Sequence, residues 1–140
     1  MRFLVLIPIF LFACKAEPEP LLYNKDTCES CKMTLVDKKF GAEIVTKKGK
    51  VFKFDDANCM INFLNNNLDD REIAFKLIVD YTQPEKLIEA NEAFYLKSDT
   101  IHSPMNSQVA AFESYPTLEA YKKKWRAIYM SWGELVTQFK

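Results

Sequence analysis

The chain has 140 residues, of which 49% are hydrophobic and 14% aromatic, enough apolar side chain for one packed domain and too much for a disordered polypeptide. Lys plus Arg number 19 and Asp plus Glu number 19, so the formal net charge is +0 and the charge balance excludes an electrostatic nucleic-acid binder. The chain has only three glycines and no GxGxxG or GxxxxGKS/T pattern, which argues against a phosphate-cradling loop. His102 is the single histidine, so a Ser-His-Asp hydrolase or a His-rich zinc site would hang on one residue.

Arg2 is followed by an almost wholly apolar run over 3–12, then Ala13 and Cys14. The run is too short to span a bilayer, which takes roughly 20 residues. It has the length of a signal-peptide core. A small residue and then Cys directly after such a run is the pattern of a bacterial lipoprotein signal. The expectation is cleavage after residue 13, lipidation of Cys14 and a charged, proline-bearing tether over 14–20. The folded domain then covers 21–140, with lobes over about 21–82 and 93–140. Such a protein is held on a membrane by its lipid and faces the periplasm, with outer-membrane sorting compatible with Lys15.

The polar segment Asp26–Met33 (DTCESCKM) reads as a loop carrying Cys28, Cys31 and Met33. Residues 40–46 alternate as a strand, Lys47–Lys50 turn, and 51–54 return as its hairpin partner. Asp55 or Asp56 can cap a helix running over 57–66, with Met60, Phe63 and Leu64 on one face. A strand at 75–79 closes a β-β-α-β unit.

The second half echoes the first. It offers strands at 93–96 and 108–112, a helix opened by Pro116 and Thr117, a strand at 127–130, and a short helix or turn over 133–139. Phe112-Glu113 enters the second helix as Phe54-Asp55 enters the first, and Leu118 and Tyr121 fall where Met60 and Phe63 fall. The predicted fold is therefore α+β, two similar β-β-α-β lobes forming a weak internal repeat.

With Cys14 assigned to lipid, Cys28, Cys31 and Cys59 remain, an odd number in an exported protein. That points to a reactive or metal-binding thiol. Cys28-x-x-Cys31-x-Met33 places three sulfurs within six residues. Thiolate and thioether are soft ligands that suit Cu(I), whereas zinc usually takes four ligands, commonly from a second CxxC or a His pair, and the sequence has neither. The same residues admit a Cys28–Cys31 disulfide, structural or redox-active. Cys59 reads either as a small buried residue or as a third thiol facing the loop. Met60 reads as core. Met105, in a Ser-Pro-Met turn, and His102 beside it are further ligand candidates. Asp55, Asp56 and Asp80 could be ligands where the lobes meet, although as caps and strand ends they need no such explanation.

The segments 28–33 (CESCKM), 39–44 (KFGAEI), 54–64 (FDDANCMINFL), 79–81 (VDY), 93–96 (AFYL) and Ser103-Pro104-Met105 with 110–112 (AAF), taken in this order, resemble the NosL family. The resemblance implies a copper-binding periplasmic lipoprotein of two β-β-α-β lobes. Such a protein is not an enzyme; it supplies Cu(I) during maturation of nitrous oxide reductase, or to another cuproenzyme. It maps the family's cysteine-methionine segment onto Cys28, Cys31 and Met33 and its later methionine onto Met105; Cys59 is added as a candidate ligand from its position. Lys32 stands where many members carry Gly. The competing expectation is an envelope thiol–disulfide protein working through Cys28 and Cys31.

Overall fold

A computed structural model describes residues 15–140; the expected signal peptide and the lipidated Cys14 lie outside the described residues. The first lobe contains strands β1 (Ala42–Thr46) and β2 (Val51–Phe54), helix α1 (Ala57–Asn67), and strands β3 (Ile73–Val79) and β4 (Leu87–Glu89). A 3-10 turn at Asp70–Glu72 leads into β3. The second lobe contains β5 (Phe94–Lys97), β6 (Val109–Phe112), α2 (Tyr115–Trp125), β7 (Ile128–Met130) and a final helix α3 (Trp132–Gln138).

The two sheets are antiparallel and share one plan. The first has the order β2-β1-β3-β4 and the second β6-β5-β7. Each is a hairpin whose first strand also pairs with the strand after the helix. Ala42 faces Phe54 and Ile78 in one lobe, and Tyr95 faces Ala111 and Met130 in the other. The internal repeat read from residue types is thus a repeat of topology. β4 is an addition in the first lobe that the sequence did not announce. Its three residues are too few for an alternation to be legible.

The buried side chains form two clusters, of which the larger runs from the first lobe into the second. The first buries Ile44, Phe54, Met60, Ile61 and Val79, with the ring of Phe63 set 4.7 Å from Phe52 and 5.3 Å from Phe54. The second is a small aromatic core in which Phe112, Tyr121, Trp125 and Tyr81 meet at centroid separations of 4.6–6.2 Å. The lobes are joined through apolar packing, with Tyr95, Val109 and Leu135 in the same buried cluster as Ile44 and Val79, and through backbone. Asp80 forms a parallel bridge with Ala111, and Tyr81 N–H donates to the Ala111 carbonyl at 2.9 Å.

The N-terminal segment is bound to this frame before the expected start of the domain. Glu19 N–H donates to buried Glu43 at 3.0 Å, and Lys53 Nζ donates to the Pro20 carbonyl at 3.0 Å. Gly41 makes the close approach possible. Its φ is +125°, and a Cβ there would meet Leu21 Cδ1 at 2.8 Å. The tyrosine two residues later, Tyr23, donates its hydroxyl to the Phe40 carbonyl at 2.6 Å. This packing fixes the root of the loop that follows. Among the described residues no helix is long and apolar enough to cross a membrane.

Candidate metal centre

The cysteine loop is a tight hairpin built by its own backbone. Thr27 and Thr34 form an antiparallel bridge. Cys28 N–H donates to the Met33 carbonyl at 2.8 Å, and Lys32 N–H donates to the Cys28 carbonyl at 3.0 Å. Lys32 closes the turn with φ +63°, in the left-handed region. That is the conformation glycine adopts without cost and that costs another residue about 1–2 kcal/mol. The backbone path expected where the family carries Gly is therefore kept here by a lysine.

The loop is also fastened to the sheet, since Glu29 N–H donates to the Lys53 carbonyl at 2.8 Å. This brings it over the point where β2 ends and α1 begins. The two aspartates there divide the work. Asp56 is the helix cap, in extended conformation, and accepts Ala57 N–H at 2.7 Å. Asp55 points into the loop, where it accepts from the Cys31 thiol at 3.4 Å. Cys59 follows in the first turn of α1 with its side chain buried toward the same place.

The result is a cluster the sequence showed only in pieces. One Sγ each from Cys28, Cys31 and Cys59 and a carboxylate oxygen of Asp55 all lie within 4.8 Å of one another. Cys28 is 0% exposed and Asp55 4%, while Cys31 is half-buried and opens to solvent. All three thiols are free.

The electrostatics of this cluster ask for a cation. The hydrogen bond offered by Cys59, with backbone N–H groups of Cys31, Asp55 and Ser30, pulls the Cys28 thiol down to about 6. Burial, and the neighbouring Cys28 sulfur, push Cys31 up to about 11. Cys59 is raised because it donates to Cys28, and burial adds to the shift. One sulfur is thus poised as a thiolate and two are held protonated around it. Asp55 Oδ1 is buried and has no hydrogen-bond partner, and among the described residues no lysine or arginine forms an ion pair with Asp55. A buried acceptor left unpaired costs about 1–3 kcal/mol, more when charged. A metal ion at the centre would satisfy it and would displace the two remaining thiol protons.

Outside this cluster the candidate ligands separate. Met105 is half-buried and lines, with Ser30, Cys31, Asn58, Cys59, Asn62 and Phe139, an open cavity of about 270 Å³ beside the thiols. Met33 is 56% exposed on the outer side of the loop and does not line that cavity. Met60 is fully buried in the core of the first lobe. His102 is exposed and takes no part. Asp80 is occupied elsewhere, accepting from Thr82 N–H at 2.8 Å, Thr82 Oγ1 at 2.7 Å and Glu113 N–H at 3.3 Å.

Asp55 was weighed as a ligand without being singled out, and Phe139 escaped the sequence reading altogether. Asp55 was indistinguishable from its neighbour as a helix cap. Phe139 lies at the far end of the chain, where no local pattern links it to a loop at 28–33. The fourth donor also weakens the argument from ligand number that set zinc aside, since Asp55 completes a set of four. Preference for a soft ion rests instead on three of the four donors being sulfur.

Two β-β-α-β lobes and a buried, sulfur-lined cluster of metal-binding type define the molecule's class. Residues 21–136 match the family model described as NosL, and the chain belongs to the NosL family. The fold is similar to that in the crystal structure of the copper chaperone NosL from Shewanella denitrificans, with a TM-score of 0.71 and 17% identity, over 85% of this chain and 95% of that one. At that identity the likeness is one of fold. No curated protein matches the sequence.

Proposed function

We propose that the protein is a Cu(I) carrier, a membrane-anchored periplasmic lipoprotein that receives the ion on its sulfur cluster and hands it to a cuproenzyme, nitrous oxide reductase being the recipient the family suggests. The observation that carries this reading is the convergence of three thiols and an unpartnered carboxylate within 4.8 Å. The copper is cargo, and the chain's task is transfer with no catalytic step. Cys28 would bind first as the ready thiolate, and Cys59 and Cys31 would close around the ion as their protons leave. Met105, on the cavity wall, supplies a thioether on the side that stays open. Met33, at the solvent-facing rim, is placed to meet an incoming partner. Cys14 would carry the lipid, with the tether from 15 onward holding donor and acceptor near one membrane, so that transfer gains from a high effective concentration.

The soft character of the donors favours Cu(I) over hard cations, and the openness on the Cys31 side favours exchange over permanent storage. A competitive titration of the reduced protein against a Cu(I)-selective chelator tests this. The expected result is one tightly held Cu(I) per chain, weakened by Met105→Ala and unchanged by Met33→Ala. Wild-type protein that takes up no Cu(I) would end the reading.

Thiol proximity gives the redox alternative some footing, because Cys28 and Cys31 are near enough to pair. The order of reactivity works against it. The thiolate-prone Cys28 is buried, and the accessible Cys31 is the one held protonated. An exchange nucleophile needs both access and ionisation on the same sulfur.

A further inference from the structure

The turn that carries Met105 belongs to the second lobe, between β5 and β6, yet it lies over the first lobe's metal cluster. Its own bonds, Asn106 N–H to the Ser103 carbonyl at 3.0 Å and Gln108 N–H to Ser103 Oγ at 3.2 Å, shape the turn but do not tie it to the first lobe. The hold comes from Asp56. This carboxylate is 1% exposed and has no cationic partner among the described residues. It is saturated by four donors instead. Oδ1 accepts Ala57 N–H at 2.7 Å and the Ser107 hydroxyl at 2.5 Å. Oδ2 accepts Met105 N–H at 3.0 Å and Ser107 N–H at 3.2 Å. Asn58 adds a fifth link, donating Nδ2 to the Met105 carbonyl at 3.0 Å. The Met105 peptide is therefore gripped at both its N–H and its carbonyl by two residues of the first lobe. Those residues flank Ala57 at the start of the helix that bears Cys59.

A helix cap needs one acceptor oxygen. The second oxygen of Asp56 serves only the turn. Resting on the proposed role of Met105 as a copper ligand, we infer that Asp56 is a positioning residue for that thioether, with Asn58 assisting. One side chain starts α1, and so places Cys59, while fixing the distance from that helix to a sulfur of the other lobe. Hydrogen bonds to charged acceptors are roughly twice as strong as neutral ones, which suits a clamp that must resist a flexible methionine turn. Residues that orient ligands in this way typically cost about 10–100-fold in metal affinity when changed.

The division between the two oxygens supplies a clean test. Asp56→Asn can keep the Oδ1 acceptor that caps α1 and takes the Ser107 hydroxyl, and asparagine is itself a good cap. At the Oδ2 position it presents an NH₂ group that cannot accept from Met105 and Ser107. The full-length protein, reduced and purified in detergent, is titrated with Cu(I) against a chelator as wild type, D56N, M105A and D56N/M105A, with the fold followed by circular dichroism. D56N should lose about 10–100-fold in affinity, as M105A does, and the double variant should lose no more than M105A alone. Sulfur K-edge or copper X-ray absorption on loaded D56N should show the same missing thioether as M105A, a signature that general destabilisation does not give.

Wild-type affinity in D56N, or a loss that adds in full to that of M105A, overturns the proposal while leaving copper binding intact. Wild-type affinity in M105A removes its premise, and no Cu(I) uptake by any form is the separate failure of the carrier reading. Should D56N not fold, N58A replaces it in the same cycle, with the same non-additivity expected and full additivity contradicting it.

Discussion

The two lobes have the same plan and opposite temperaments. Each makes a hairpin, enters a helix of eleven residues and returns beside the hairpin's first strand. The second lobe settles every side chain at the helix entry in the ordinary way. Glu113 is exposed and ion-paired with Lys86, Ser114 caps without a side-chain bond, and Thr117 stands where Cys59 stands in the first lobe. Behind them lies an aromatic core. The first lobe puts Asp55, Asp56 and Cys59 at that entry, buries all three, and leaves an oxygen of Asp55 unpartnered. One unit is built for stability. Its counterpart carries an unsatisfied oxygen that makes sense with an ion beside it, and on the proposed reading it draws Met105 from the other lobe.

Substitutions at matched positions should break this symmetry. The largest effect on binding belongs to the thiols: Cys59→Ser or Cys28→Ser should lower Cu(I) affinity by more than about hundredfold, beyond what a merely supporting residue costs, whereas Thr117→Ser should leave the titration curve unchanged. Stability should show the reverse. Phe112→Ala empties the aromatic core and should cost about 3–5 kcal/mol in chemical denaturation, yet the folded fraction should still take up one Cu(I). A binding loss from Phe112→Ala at full folding would mean the lobes are not separable in this way.

The pH dependence sharpens the point because it comes from one lobe alone. Ligation needs thiolates, so affinity rises with pH. Above about pH 6 Cys28 is already ionised, and uptake releases protons from Cys31 and Cys59. Below about 6 Cys28 must lose its proton too, and the fall in affinity with acid should steepen. Titrations from pH 5 to 8 should show that break, and a flat profile would contradict thiolate ligation. The smallest effect is expected at the loop turn. Lys32→Gly removes a left-handed lysine, φ +63°, and should stabilise the apo protein by up to about 1 kcal/mol without altering copper affinity.

The contrast between lobes also explains what the sequence could and could not reveal. The strands at 42–46 and 51–54 and both long helices were legible because alternation and 3.6-residue spacing are local signals. Strand β4 was not, having three residues and no pattern of its own. Cys28 and Cys31 stood out through spacing and Cys59 was weighed evenly, since a lone cysteine on a helix is usually just a small apolar residue. Its meaning depends on a loop about thirty residues away being folded over it. Asp55 and Asp56 are adjacent and chemically identical, and only the backbone decides which one caps and which turns inward. Met33, which looked the equal of Cys28 and Cys31, lies on the solvent side of the hairpin, and the left-handed residue Lys32 between it and Cys31 breaks the regular alternation from which a facing could have been read.

The most direct test of the account is X-ray absorption at the copper edge on the full-length protein loaded with one equivalent of Cu(I) under reducing conditions. Sulfur from Cys28, Cys31 and Cys59 should dominate the inner shell, and the copper should stay monovalent. A shell of nitrogen and oxygen, or one unchanged by Cys28→Ser and Cys59→Ser together, would contradict it.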